Sequence, residues 1–372
     1  MAGYDCDICI IGSGFGGSVC ALRSAEAGLR VVLLERGPRI SIADYEDMAA
    51  GQRALVRRPG EPNGIAEVHA LCGLGALTAS AVGGGSHLYT AVTVPAPPEV
   101  FTKGWCHLTR GFLDPYYARA QNIIAPSITP VLLERTAALE KAGGQMGGSP
   151  VRLPVAIDWP LEKAEMAHAP SFAGLRREMA AWLQGGHCCR KRTLDRTYLA
   201  LAELKGADVR PLHEVMAIAP SGDGYEVAFQ STREGRPRTA SLRAQRVIIA
   251  AGTLGTLKLL FRCRDQVGSL PRVSRALGER FFMNGDMGAL IFGIRDGPAP
   301  DSGPPVTGWI DLWQGDRMFL MELATWPTGL ELSTLSRAGP RVVLRRDGLR
   351  RSPVENCAVA VRKAHASAGQ FR

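Results

Sequence analysis

Short apolar runs alternate with amphipathic stretches at the start of the chain. Residues 4–11 are apolar enough to form a buried parallel strand, and residues 18–27 place three apolar side chains on one face of a predicted helix. Gly28 ends that helix, and residues 30–34 are apolar again and predict a second strand. The pattern therefore predicts a strand–helix–strand unit with parallel strands, which is typical of α/β proteins.

A glycine motif joins the first strand to the helix, and an acid ends the second strand. Gly12, Gly14 and Gly17 form G-x-G-x-x-G, which permits a tight turn, close approach of a pyrophosphate and close helix packing. The helix N-terminus offers N–H groups and a partial positive charge to phosphates. Glu35 is placed to accept hydrogen bonds from a ribose and to repel a 2′-phosphate. The unit predicts dinucleotide binding and disfavours NADP, whereas the motif alone is also compatible with an ordinary glycine-rich turn.

A second run of glycines follows at residues 83–85, just before an apolar run over residues 88–94. Glycines in this setting indicate backbone brought close to a flat or charged ligand, and a flexible loop is the alternative. Residues 113–124 predict a helix. Residues 125–190 are poorly periodic and rich in glycine and proline, so we interpret them as an excursion away from the sheet.

Regular structure returns in the second half of the chain. Strands are predicted at residues 208–218, 225–230, 240–243 and 246–252. The first three predict a small antiparallel meander. The fourth is a buried apolar run that we assign to the first sheet, and its last residues, Ala251 and Gly252, are expected to lie beneath the dinucleotide.

Composition and charge exclude several classes of protein. The net charge is +9, but residues 337–372 hold nine Lys/Arg against two Asp/Glu, so the rest of the chain is nearly neutral and nucleic-acid binding is disfavoured. No apolar stretch approaches the ~18 residues of a membrane span, and a strand that begins at residue 4 leaves no room for a signal peptide.

The cysteines favour a reducing compartment. None of the nine stands in a metal-like double pair, so no metal site is expected and a cytoplasmic protein with reduced thiols is predicted. Cys6 and Cys9 lie three apart in a predicted strand and are therefore expected to point to opposite faces.

Four segments together resemble a known family: residues 4–37, 82–89, 197–215 and 247–264. They are similar to the glucose-methanol-choline (GMC) flavoprotein oxidoreductases, most of all to the cholesterol oxidase group. The likeness extends over roughly residues 4–330. It implies FAD as the cofactor and oxidation of an alcohol by hydride transfer to the flavin.

The resemblance also implies roles for individual residues. The ADP half of FAD would be held by Gly12, Gly14, Phe15, Gly16, Gly17 and Glu35. The pyrophosphate and the isoalloxazine would be lined by Gly84, Gly85, Ser86 and Tyr89, with Ala251 and Gly252 close by. Val215 would bond the adenine through its backbone, the alternative being an ordinary strand valine.

A catalytic acid is implied in the same way. Residues 321–324 resemble the segment that supplies an active-site glutamate in cholesterol oxidases, which places Glu322 in proton transfer. Its apolar sequence neighbours would raise its pKa toward a catalytically useful range. The alternative is a solvated glutamate on a strand edge.

The end of the chain departs from the family. GMC enzymes carry a C-terminal segment with a His-Pro-Leu-Gly-like sequence beside the flavin, and no such segment is found here. His365 stands in a sequence that does not match it, and residues 336–372 resemble nothing in the family. Among the other histidines, His87 is of interest because it follows the second glycine run.

These observations predict an α/β fold with an α+β substrate part. A Rossmann-like FAD-binding domain is expected over residues 1–124 and 190–288, and a partial antiparallel-sheet substrate domain over residues 125–189 and 289–335. Residues 336–372 are an atypical basic tail.

The leading functional hypothesis is an FAD-dependent oxidoreductase that oxidises an apolar, sterol-like alcohol and passes electrons to oxygen or another acceptor. A truncated, catalytically inactive FAD-binding remnant is the first alternative, motivated by the missing histidine segment. A nicotinamide-dependent dehydrogenase is the second, because the opening unit alone does not separate NAD from FAD.

Overall fold

The structure, a computed structural model, describes residues 3–50, 52–57, 63–71, 74–102, 108–160, 183–185, 190–231, 238–282, 303–314 and 317–323. Its helices are α1 Phe15–Glu26, α2 Ile42–Ala50, α3 Arg110–Ile124, α4 Glu134–Met146, α5 Tyr198–Leu204 and α6 Gly252–Phe261. Short 3-10 helices span Gly84–His87 and Pro98–Thr102, and a π-helical turn spans Arg262–Gln266. Within these ranges, none of the helices has the length and apolar content that crossing a membrane requires.

The strands are β1 Cys6–Ile11, β2 Val31–Leu34, β3 Ala66–Leu71, β4 Leu74–Ala79, β5 Ser149–Arg152, β6 Ile157–Asp158, β7 Arg190–Lys191, β8 Asp208–Arg210, β9 His213–Ser221, β10 Gly224–Ser231, β11 Thr239–Ile249, β12 Gly308–Gln314 and β13 Arg317–Glu322. Six of them form the main sheet in the order β8-β2-β1-β11-β10-β9. Smaller antiparallel sheets are β13-β12-β5, β3-β4 and β6-β7.

The parallel part of the main sheet is buried on both faces. In the register of β1, Ile10 pairs with Leu33 of β2 on one side and with Ile248 of β11 on the other. Helices α1 and α5 pack on one face, and α6 with the π-helical turn packs on the other. Two apolar layers thus hold β1 at the centre, as in other parallel sheets covered by helices.

The middle strands differ from the prediction in two places. The strands expected at residues 240–243 and 246–252 are one strand, β11, because Ala244 pairs with β10 and β1 at once. Conversely, the strand expected at residues 208–218 is two strands, β8 and β9, at opposite ends of the sheet order. Proline at position 211 and a left-handed Leu212 (φ 62°) separate them.

Residues 125–190 contain more regular structure than their sequence predicts. Helix α4 and strand β5 lie here, and β5 pairs with β12. A Cβ on Gly143 would lie 3.2 Å from Ile310 Cγ1, so this helix approaches the small sheet closely through a glycine. The sequence pattern did not predict α4 because its glycines lower the helix propensity of this segment. The division into FAD and substrate domains stays a prediction.

Cys6 and Cys9 correct the expectation of opposite faces. The N–H groups of Asp7 and Ile8 both bond to Arg30 O, so the strand is irregular there and Cys6 and Cys9 join the same core cluster. Burial raises the pKa of Cys6 to about 11 and that of Cys9 to about 12. Both are free thiols of low reactivity.

A matched pair of substitutions tests the glycine contact that seats α1. In Gly17→Ala the new Cβ would overlap the carbonyl oxygen of Gly12, so we expect a loss of about 1–3 kcal/mol in the free energy of unfolding. Gly16→Ala is the control, because its Cβ would meet nothing closer than 3.9 Å. Urea denaturation of both variants measures the difference, and equal midpoints would contradict the packing assignment.

Candidate functional site

A crevice of about 1030 Å³ opens at the carboxyl ends of the parallel strands β1, β2 and β11. This edge is where ligands bind in open α/β sheets, and the volume is at the upper end of the range for ligand pockets. Of the residues predicted to bind the cofactor, those that line the crevice are Gly12, Gly14, Phe15, Gly16, Glu35, Gly84, Gly85, Tyr89, Val215, Ala251 and Gly252. Their positions along the chain are far apart, and the fold brings them together.

The first glycine loop forms the floor of the crevice. Gly12 has φ 95°, and a Cβ there would lie 2.5 Å from the carbonyl oxygen of Ala250, so the turn lies against the end of β11. Gly14 is the N-cap of α1, and a Cβ at this position would have no neighbour within 4 Å. No side chain caps this helix, and its first turn has no acidic residue. The amides and the helix dipole therefore fit a diphosphate.

The second glycine loop lies directly on the first. Gly83 (φ 98°) and Gly84 (φ 53°) adopt left-handed backbone, which favours glycine. A Cβ on Gly84 would lie 2.7 Å from the Cα of Gly14, so the two backbones touch. Beyond the loop, Tyr89 meets Phe15 edge-on with ring centroids 5.5 Å apart. These two rings and the two loops make one continuous wall.

Glu35 is held in place by Ser13, a residue that the sequence analysis did not single out. The Ser13 amide and hydroxyl donate to Glu35 Oε2 at 3.0 and 2.7 Å, and the Gly37 amide donates to Oε1 at 2.8 Å. The Gly83 amide donates to Ser13 Oγ at 3.1 Å. Glu35 is only 6% exposed, and a carboxylate has acceptor positions beyond these three. Ser13 thus links both glycine loops to the acid.

Two predicted residues support the wall from behind. Gly17 packs against Gly12 rather than facing the crevice. Ser86 is fully buried, and its hydroxyl donates to Gly83 O at 2.7 Å and accepts from the Leu194 amide at 3.0 Å. Their roles are to shape the backbone that a ligand would contact.

Glu322 is not brought to the crevice. It ends β13, pairs in register with Trp309 of β12 and has an exposed side chain. Its catalytic role and the raised pKa expected from its sequence neighbours stay predictions. His365 and the tail 336–372 lie outside the described residues.

A buried polar cluster lies behind the second glycine loop. His87 is 1% exposed; its Nε2–H donates to Val82 O at 2.7 Å and its Nδ1 accepts from the Tyr45 hydroxyl at 2.6 Å. These partners assign a neutral imidazole, in agreement with burial lowering the pKa of His87. Asp195 Oδ1 lies 3.6 Å from Nε2. Lys191 is 3% exposed, and burial lowers its pKa to about 7.

Comparison with known proteins agrees with this geometry. A family model described as an NAD(P)-binding Rossmann-like domain matches residues 10–59. The chain is 35% identical over 295 residues to a cholesterol oxidase of Mycobacterium tuberculosis (strain ATCC 25618 / H37Rv). This alignment covers 74% of the chain and 50% of that relative. A cholesterol oxidase of Acinetobacter baumannii is 31% identical over 320 residues, covering 78% of the chain and 56% of the relative.

A third relative is an uncharacterised GMC-type oxidoreductase of Sinorhizobium fredii (strain NBRC 101917 / NGR234). It is 25% identical over 287 residues, an alignment that covers 72% of the chain and 52% of that protein. The chain therefore spans about half the length of the curated relatives that it matches.

These matches confirm the predicted fold class, with its Rossmann-like unit, and the family resemblance. They also agree with the FAD that the sequence leads us to expect at this site. The residues present fit the group. A Cβ on Gly84 would collide with the first loop at Gly14, and a Cβ on Gly12 would collide with Ala250 at the end of β11. The α1 N-terminus faces the crevice and Glu35 lies in its wall.

Ser13→Ala tests the link between the acid and the two loops. It leaves Glu35 Oε2 and the Gly83 amide each short of one partner, which costs about 1–3 kcal/mol per buried group. We expect FAD affinity to fall about tenfold or more. Ser18→Ala is the control, because the Ser18 hydroxyl bonds only to Phe15 O within α1 among the described residues. Fluorescence titration with FAD measures both, and equal affinities would contradict the assignment.

The buried ammonium of Lys191 predicts a pH dependence of stability. The unfolded chain holds this proton up to its ordinary pKa near 10.4, whereas the folded chain releases it above a pKa of about 7. The free energy of unfolding of the wild type, relative to that of Lys191→Met, therefore rises between about pH 7 and 10. The rise is at most about 1.4 kcal/mol per pH unit. Urea denaturation of both proteins across this range measures the difference. Parallel curves would show that the ammonium is not desolvated.

Proposed function

We propose that this chain binds FAD across the two glycine loops and oxidises an alcohol CH–OH group. It is related to the GMC oxidoreductases over about three quarters of its length. The single observation that carries this is the direct backbone contact between Gly14 and Gly84 inside one crevice. A nicotinamide enzyme needs only the first of these loops. The second loop favours the flavin.

Each part of the crevice has a task in this proposal. The α1 N-terminus binds the diphosphate, Glu35 accepts from the ribose, and the backbone of Val215 contacts the adenine. Tyr89 and Phe15, whose rings meet edge-on, form the wall beside the isoalloxazine. FAD supplies the hydride acceptor, so that the alcohol carbon loses a hydride, its hydroxyl loses a proton and a carbonyl forms.

The finer assignment concerns the substrate. We infer a secondary alcohol on an apolar, sterol-like molecule, with oxygen or another compound as the final acceptor, because two relatives are named cholesterol oxidase. Glu322 is the proposed participant in proton transfer. A cytoplasmic location belongs to the same proposal and is supported by the free thiols of Cys6, Cys9, Cys20 and Cys263.

Flavin spectroscopy tests this function in two steps. The purified chain is mixed with FAD, freed of excess and examined for flavin absorbance; a bound flavin spectrum is expected, and a colourless protein would contradict the cofactor. Cholesterol is then added without oxygen, and bleaching of the flavin band is expected. Ethanol is the control, because it carries an alcohol group without the apolar body of a sterol. A yellow protein that cholesterol never bleaches would favour the alternative, an FAD-binding protein without alcohol turnover.

A further inference from the structure

The second glycine loop has a rear face that is fastened to residues 190–196. Ser86 Oγ accepts from the Leu194 amide on this side. Lys191 extends from β7 beneath the end of the loop, where its Nζ donates to the carbonyl oxygens of His87 at 3.0 Å and Tyr89 at 2.6 Å. One side chain therefore fixes two backbone carbonyls of the segment whose front face lines the crevice.

The same ammonium also faces an aromatic ring of the crevice wall. Lys191 Nζ lies 5.6 Å from the centroid of the Tyr89 ring, within the range of a cation–π contact. Phe15 of α1 meets the same ring edge-on. Lys191 thus restrains Tyr89 through both its backbone and its ring, and the positive charge lies one side chain behind the surface that a flavin would meet.

Stability of the fold does not account for a cation at this position. Removing a charge from water is costly, and a buried charged group is therefore weak evidence of a gain in stability. The lowered pKa of Lys191 reflects that cost. We therefore look for the role of the buried charge in the groups that it binds, which belong to the loop at the crevice.

We propose that Lys191 is a positioning residue for FAD, fixing the segment Gly83–Tyr89 from behind through the carbonyls of His87 and Tyr89. This inference rests on the proposed binding of FAD to the crevice. It assigns to Lys191 no contact with the cofactor itself; the side chain acts through the loop and the Tyr89 ring.

Lys191→Met is the first test, with Arg192→Met as the matched control. Arg192 is the next residue, and its guanidinium bonds to Asp158 at 2.7 Å, away from the loop. We expect Lys191→Met to bind FAD about tenfold or more weakly and to alter the visible circular dichroism of the bound flavin. Its apoprotein is expected to unfold cooperatively in urea and to be fully folded under the conditions of the titration, which separates positioning from a folding defect.

The wild type supplies a second test that needs no substitution. Charge-assisted hydrogen bonds are about twice as strong as neutral ones, so FAD affinity is expected to fall about threefold to tenfold as pH rises from 6 to 9. The neighbouring groups that titrate are His87, Tyr45 and Tyr89, with Asp195 also near; burial lowers the pKa of His87 and raises that of Tyr89 to about 12. Burial likewise raises the pKa of Tyr45. The protonation changes of these three therefore lie outside the transition near pH 7.

The outcomes separate this inference from the function beneath it. If neither the wild type nor Arg192→Met binds FAD, the proposed function fails. If both bind, and Lys191→Met binds equally well with the same circular dichroism, the positioning role is overturned. Should Lys191→Met not fold, a wild-type affinity that is flat from pH 6 to 9 overturns it instead.

Discussion

Backbone atoms of three separate segments meet at one point, where any side chain would hold them apart. Gly17 brings α1 onto the turn at Gly12, and that turn in turn lies against Ala250 at the end of β11. Gly84 then brings the second loop onto Gly14. These contacts join β1, β11 and the second glycine loop, which lies between them in the sequence. The shape of the crevice and the stability of the sheet therefore depend on the same glycines. A diphosphate can therefore approach amides without meeting side chains.

Buried polar groups complete what the glycines begin. Ser13 ties Glu35 to both loops on the front of the crevice, and Lys191 and His87 hold the second loop from behind. Each group would be costly to bury alone, and each is satisfied by backbone or by a partner side chain. The result is a wall whose polar groups are held by partners within the protein, an arrangement that reduces the ordering cost of binding.

The sequence predicted the opening unit and the parallel strand β11 well, because glycine spacing and buried apolar runs are local signals. It did not predict the break between β8 and β9 or the helix α4, since a left-handed Leu212 and the packing of Gly143 on Ile310 are tertiary features. Most candidate cofactor residues line one crevice, whereas Glu322 lies on another sheet with an exposed side chain. Ser13 and Lys191 were missed because a serine between glycines, or a lysine in a short strand, carries no signal of its buried partners.

The central claim is that FAD lies across both glycine loops, and hydrogen–deuterium exchange with and without FAD tests it most directly. The account predicts slower amide exchange at residues 13–17 and 83–89 when FAD is present, and unchanged exchange in α4, which lies on the small antiparallel sheet. Binding of FAD that slows exchange in only the first of these segments, or in neither, would contradict it.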